Sequence, residues 1–80
     1  MDKTQEALVL ETRKWLEKLE KETKGIKANS VKAAGQIENM NAYVSDCRHF
    51  QKQGDWIRAF EACVYAWGIF ETLKHLGLVE

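Results

Sequence analysis

The residue types that could bind a metal ion are few in this chain, and their spacing is unfavourable. The closest cysteine and histidine, Cys47 and His49, are two residues apart. On an α-helix this spacing points the two side chains about 200° apart, so that they cannot ligate one metal ion. His75 stands alone near the last turn of the last predicted helix, where it would favour the helix dipole. We therefore predict no metal site and no cofactor.

The combinations of residues that nucleophilic catalysis requires are also missing. Neither Ser30 nor Ser45 has a histidine at a helical spacing that would let it act as a general base. Gly25, Gly35 and Gly54 are isolated from one another, so they do not form a glycine-rich phosphate loop. We expect no catalytic residues and a protein that is not an enzyme.

The two cysteines, Cys47 and Cys63, are predicted to be neighbours in the core that remain free thiols. They lie seven residues before and nine residues after Gly54, so if Gly54 joins two antiparallel helices, both cysteines lie at a similar distance along the helix axes from the turn. Packed helix axes are about 8–10 Å apart, whereas a disulfide usually needs Cα atoms within roughly 7 Å. Free thiols also agree with a reducing, cytoplasmic location.

The elements that position these residues are predicted to be helices. Proline is absent and apolar residues recur at spacings of three and four, which is typical of α-helices. Gly25 and Gly54 divide the chain into three segments and Gly77 closes the third, because each can end a helix in the left-handed conformation. The predicted helices cover about 4–24, 29–53 and 55–76.

The starts of these helices are marked by residues that favour helix N-caps. We expect Thr4 to cap the first helix, Asn29 or Ser30 the second and Asp55 the third. The short connection at Gly54 requires an antiparallel arrangement of the helices that flank it. The sequence therefore predicts one all-α domain over 1–80, a three-helix antiparallel bundle that runs up, down and up.

The third predicted helix is apolar over more than half of its circumference. Its bulky stripe consists of Trp56, Phe60, Cys63, Trp67 and Phe70, and its smaller stripe of Ala59, Ala62, Ala66, Ile69 and Leu73. One interpretation is that this helix touches both others, with the alanine side allowing close approach of one of them. The alternative is that part of its surface forms a homodimer interface, because two neighbours do not cover so wide an apolar surface.

Six side chains on the second and third helices are candidates for an interaction surface. They are aromatic or charged: Tyr43, Asp46, Trp56, Arg58, Tyr65 and Trp67. Four of them, two tyrosines and two charged residues, lie on the two helices that the Gly54 turn joins. They form either an ordinary rim that hydrogen-bonds across the two helices or the edge of a groove for a ligand or peptide.

The charge balance excludes several classes of partner. Twelve Lys and Arg residues against twelve Asp and Glu residues give no net charge, so we expect no nucleic acid binding.

No apolar run reaches the 18 or so residues of a membrane span, and charged residues replace the apolar stretch of a signal peptide near the N-terminus. We predict a cytoplasmic protein with no membrane partner and little electrostatic barrier to self-association.

The segment from Met40 to Leu78 resembles the archaeal domain of unknown function numbered 357. The resemblance lies in Met40, Ala42, Tyr43, Asp46, Phe50, Gly54, Asp55, Ala59, Phe60, Tyr65, Ala66, Gly68, Leu76, Gly77 and Leu78. Cys47 and Trp67 depart from it, since the family tends towards alanine and histidine there. The resemblance implies a left-handed bundle like a spectrin repeat or an albumin-binding domain, from an archaeal cytoplasm, with no assigned activity, cofactor or catalytic residue.

These observations favour a non-enzymatic module that dimerises or binds another protein through the third helix and the flank of the second. The alternative is a helical bundle that binds a small molecule in a pocket beside the aromatic stripe of the third helix. The hairpin around Gly54 also resembles one tetratricopeptide unit, but no 34-residue self-similarity accompanies it.

Overall fold

The computed structural model describes residues 2–80, which form three α-helices. They are α1 (Lys3–Thr23), α2 (Val31–Lys52) and α3 (Trp56–His75), each within two residues of its predicted bounds. The start of α1 lies beside the start of α3, and the end of α1 lies beside the end of α3. The first and third helices are therefore parallel, and α2 runs against both. This confirms the predicted all-α, three-helix antiparallel bundle.

The N-caps of α2 and α3 are the predicted ones, Ser30 and Asp55. The prediction of Thr4 as the cap of α1 was wrong. Asp2 takes that position, and its Oδ1 accepts a hydrogen bond of 2.7 Å from the backbone N–H of Gln5. An aspartate caps a helix better than a threonine because its carboxylate also interacts with the positive end of the helix dipole.

The turn between α2 and α3 is short because Gly54 reverses the chain at once. Its φ of 74° lies in the left-handed region, which a residue with a side chain adopts only with strain. The N–H of Asp55 donates to the carbonyl of Phe50 at 2.9 Å, which satisfies a free carbonyl at the end of α2. This compact turn places α2 and α3 side by side.

The chain after α3 returns to the connection between α1 and α2 and forms a short antiparallel bridge with it. Lys27 and Glu80 exchange two backbone hydrogen bonds, of 3.1 and 2.8 Å. The side-chain amide of Asn29 also donates to the carbonyl of Gly77 at 2.9 Å. This clasp ties the end of the chain to the bundle and was not among the predicted features.

The core lies along α3, which packs against both other helices. Ala59, Ala62 and Ala66 are buried, which agrees with the interpretation that the alanine side of α3 lets another helix approach closely. Three of the bulky residues of α3, Trp56, Phe60 and Trp67, are only half-buried. The bundle therefore leaves part of α3 uncovered.

Candidate interaction surface

One side of α3 faces neither α1 nor α2. We call it the outer face of α3 and define it by eight exposed residues: Ile57, Glu61, Val64, Tyr65, Gly68, Thr72, His75 and Leu76. Its four large apolar or aromatic side chains are 52–71% exposed. Because these residues recur at spacings of three and four, they form a continuous strip along the helix.

Two shallow grooves flank this strip. The groove on the α1 side has a volume of about 480 Å³ and is lined by Trp15, Phe60 and Trp67 among others. The groove on the other side has a volume of about 580 Å³ and is lined by residues that include Tyr65 and Leu76. Val64, Gly68 and Thr72 border both grooves, so they form the ridge between them.

The ridge is lowest at Gly68. No atom of the surrounding structure lies within 4 Å of the position that a Cβ atom on Gly68 would occupy. The surface above this glycine is therefore open, and another helix could approach the backbone of α3 closely at this point.

Two of the six candidates predicted from the sequence come together across α2 and α3. The rings of Tyr43 and Tyr65 have centroids 5.3 Å apart and planes inclined by 32°. Tyr43 is half-buried, whereas Tyr65 is exposed on the outer face of α3. Asp46 is exposed on α2, and its side chain makes no hydrogen bond or ion pair within residues 2–80. The tyrosine contact thus fixes one edge of the outer face.

The two tryptophans among the candidates lie instead on the side of α3 that meets α1. The indole N–H of Trp67 donates a hydrogen bond of 2.9 Å to the backbone carbonyl of Trp15. The guanidinium of Arg13 lies 5.3 Å from the ring centroid of Trp56. Both contacts join α1 to α3, so these two side chains hold the bundle together.

The last candidate, Arg58, lies at the end of the hairpin. Its Nε is 3.6 Å from Oδ2 of Asp55, and its guanidinium is 5.9 Å from the ring centroid of Phe50. Of the six predicted residues, only Tyr65 therefore belongs to the outer face of α3. The other members of that face could have been found as the helix positions opposite the alanine side.

The two cysteines meet in the core between α2 and α3. The side chains of Cys47 and Cys63 are hydrogen-bonded to each other, and Nε2 of Gln51 donates to Sγ of Cys47 at 3.3 Å. These hydrogen bonds lower the pKa of the Cys47 thiol to about 7, against the opposing effect of burial. The hydrogen bond to Cys47, together with burial, raises the pKa of Cys63. The two thiols thus share at most one negative charge.

Neither a metal-ligating cluster nor a membrane-spanning helix is formed by residues 2–80. Within this range, no three His, Cys, Asp or Glu side chains are grouped so that they could hold a metal ion. None of the three described helices is long and apolar enough to cross a membrane.

These features define a small three-helix bundle in which one helix keeps an uncovered face. The chain belongs to the family described as protein of unknown function (DUF357), whose pattern matches residues 12–79. It is similar to the crystal structure of a DUF357 protein from Archaeoglobus fulgidus, with 39% identity over 96% of both chains and a TM-score of 0.86. The resemblance seen in the sequence is thereby confirmed. A comparison with curated proteins gave no match.

Proposed function

We propose that this protein is a non-enzymatic interaction module that binds a protein partner through the outer face of α3. The observation that carries this proposal is the exposure of Ile57, Val64, Tyr65 and Leu76 on one side of one helix. The last three of these side chains line one groove, so their apolar surface is continuous. A contiguous apolar patch flanked by polar residues is typical of a protein–protein contact.

Isolated exposed apolar residues do not support such a role by themselves. Leu10 on α1 and Val31 at the start of α2 are 67% and 90% exposed, but neither lines a groove beside α3. Single exposed residues of this kind are normal on protein surfaces. The difference lies in the grouping of the α3 residues, which gives a partner several adjacent apolar contacts.

A non-enzymatic role is supported by the character of the groove walls. The groove on the α1 side is mostly apolar, and Glu71 is its single ionisable residue apart from Cys63. Cys63 is almost fully buried and its pKa is raised, so it is a poor nucleophile. A cytoplasmic location belongs to the same proposal, because a reducing compartment would keep both thiols free.

The proposal is tested by substituting one residue of the patch and one residue outside it. Val64→Lys places a charge in the centre of the outer face, and Leu10→Lys does the same at an exposed apolar position on α1. Sedimentation velocity over a concentration series from micromolar to millimolar measures self-association, and pull-downs from source lysate measure binding to other proteins. We expect Val64→Lys to weaken the association and Leu10→Lys to leave it unchanged. Equal behaviour of the wild type and Val64→Lys in both assays would contradict the proposal.

The second candidate function is small-molecule binding in the groove between α1 and α3. Its volume of about 480 Å³ lies within the range of roughly 300–1,000 Å³ typical of ligand sites, and Trp15, Phe60 and Trp67 offer aromatic surfaces. This function predicts a ligand that co-purifies, is visible by native mass spectrometry and is lost in Phe60→Ala. An empty protein whose tryptophan fluorescence does not respond to a metabolite library would exclude it.

A further inference from the structure

The polar and small residues along the outer side of α3 are arranged symmetrically around Gly68. Glu61 and His75 lie seven residues on either side of it, Val64 and Thr72 four residues, and Tyr65 and Glu71 three residues. At 100° per residue, all six lie within about 60° of the direction of Gly68. We propose that this face binds the same face of a second copy of the chain, antiparallel, with a twofold axis at Gly68. This inference rests on the proposed function and names its partner.

An antiparallel pair of helices brings unlike residues of this face together. With the axis at Gly68, Glu61 of one copy faces His75 of the other, and Tyr65 faces Thr72. A carboxylate accepts a hydrogen bond from an imidazole N–H, and two hydroxyl groups can each donate and accept, so both contacts join a donor to an acceptor. The twofold axis repeats each contact, which is how a self-complementary interface is built.

A parallel pair of helices would bring like residues together. Glu61 would face Glu61 and His75 would face His75, so that a pair of carboxylates would repel each other. The two helix dipoles would also point in the same direction, whereas antiparallel dipoles attract. The charge pattern of α3 therefore favours the antiparallel arrangement.

The shape of the face fits the same arrangement. The open space above Gly68 allows the two helix axes to approach closely at the twofold axis. The grooves on both sides of the ridge then receive side chains of the second copy. Apolar contacts thus surround the polar ones.

The size of the outer face of α3 limits the area that a dimer can bury. A helix of 20 residues is about 30 Å long, and the bundle is 17 Å wide. A contact that runs along the whole helix and also fills both grooves, across the full width of the bundle, therefore covers at most roughly 500 Å² per copy, or about 1,000 Å² in total, at the lower end of specific interfaces. We expect a reversible dimer that forms at high protein concentration, which the zero net charge does not oppose.

Cross-linking of single introduced thiols tests the position of the axis. In Gly68→Cys the two introduced thiols meet at the axis, whereas in Ile57→Cys they are separated by 22 residues of helix, about 33 Å. A short bismaleimide should therefore give a covalent dimer with Gly68→Cys and none with Ile57→Cys. The native cysteines are buried, and peptide mapping shows which thiol has reacted. Equal cross-linking of both variants, or cross-linking of Ile57→Cys alone, would overturn the proposal.

Charge reversal tests the contact between Glu61 and His75 without a cross-linker. Glu61→Lys and His75→Glu should each raise the dimer Kd by about two- to five-fold, the range of exposed ion pairs. The double variant should return Kd towards the wild-type value, because it restores opposite partners. If the double variant raises the dimer Kd by as much as the two single effects combined, the antiparallel register is wrong.

These outcomes separate the inference from the proposed function. A wild-type chain that remains monomeric, while Val64→Lys loses a protein that the wild type retains, overturns self-association and supports the broader interaction role. A dimer that is insensitive to Val64→Lys overturns the inference, and it overturns the proposed function as well if the pull-downs are also unchanged.

Discussion

The indole N–H of Trp67 on α3 donates its hydrogen bond to the backbone carbonyl of Trp15 on α1, and the two rings meet edge to face with centroids 5.6 Å apart. Trp67 thus joins the two helices by a directed polar contact as well as by packing.

Trp67→Phe should lower the free energy of unfolding by about 1–2 kcal/mol, because it removes a half-buried hydrogen bond while keeping an aromatic ring. Urea denaturation followed by circular dichroism measures this change. Trp15→Phe is the matched control, since its indole bonds only to the exposed side chain of Glu11. An equal loss of unfolding free energy in Trp15→Phe and Trp67→Phe would show that the hydrogen bond between α1 and α3 stabilises the protein no more than the exposed bond to Glu11 does.

Thr12 is the one fully buried polar side chain of residues 2–80 whose hydroxyl has no hydrogen-bond partner there. Thr12→Val keeps the shape and removes the unsatisfied hydroxyl, so we expect the protein to become more stable by about 1 kcal/mol. The control is Thr23→Val, because the hydroxyl of Thr23 donates to the carbonyl of Leu19 at 2.9 Å. The two substitutions should change the thermal midpoint in opposite directions. A decrease in both would contradict the prediction.

The thiol pair should make stability depend on pH. The pKa of Cys47 is lowered to about 7 in the folded state, so between about pH 7 and pH 9 the unfolded chain binds more protons at this position than the folded chain. The free energy of unfolding should therefore rise over this range, by on the order of 1 kcal/mol. Above that range the free energy of unfolding should fall, because the unfolded chain releases the proton of Cys63 while the raised pKa of Cys63 retains it in the folded chain.

Urea denaturation in the presence of a reductant at pH 7, 8 and 9 measures this dependence. Cys47→Ala removes the titrating thiol, and Cys63→Ala removes the thiol hydrogen-bonded to it, so both variants should lose the rise. A wild-type protein with the same pH dependence as Cys63→Ala would contradict the assignment of the charge to Cys47.

Two glycines should respond to alanine with opposite signs. Gly54→Ala should destabilise the protein by about 1 kcal/mol, because φ at this residue is 74°. Gly35→Ala should stabilise it by about 0.5–1 kcal/mol, since Gly35 lies within α2 and nothing occupies the space around its missing side chain. Differential scanning calorimetry of the two variants tests the pair. Destabilisation by Gly35→Ala would mean that this part of α2 is not an ordinary helix.

Much of the fold was accessible from local sequence signals. The glycines at 25 and 54 end helices because the left-handed conformation they adopt depends mainly on the residue itself. Ser30 and Asp55 cap helices by bonds to a residue three positions away, which is also a local property. The contact of Cys47 with Cys63 followed from their similar distances to Gly54. Each of these features involves residues near one another in the chain or related by one short turn.

The remaining features depend on contacts between distant parts of the chain. The clasp between Lys27 and Glu80 has no local signal, because its two segments are about 50 residues apart and form a single bridge. Trp67 was a candidate for the interaction surface, but its hydrogen bond to Trp15 places it between α1 and α3. No pattern within α3 distinguishes these two roles for a large aromatic side chain.

The sequence by itself determined that α3 carries more apolar surface than an ordinary amphipathic helix, because hydrophobic periodicity is a property of one helix. Only the tertiary structure decided which part of that surface remains exposed. Burial depends on where α1 and α2 pack, and they cover the alanine side and part of the aromatic stripe. The strip from Ile57 to Leu76 therefore remains exposed to solvent.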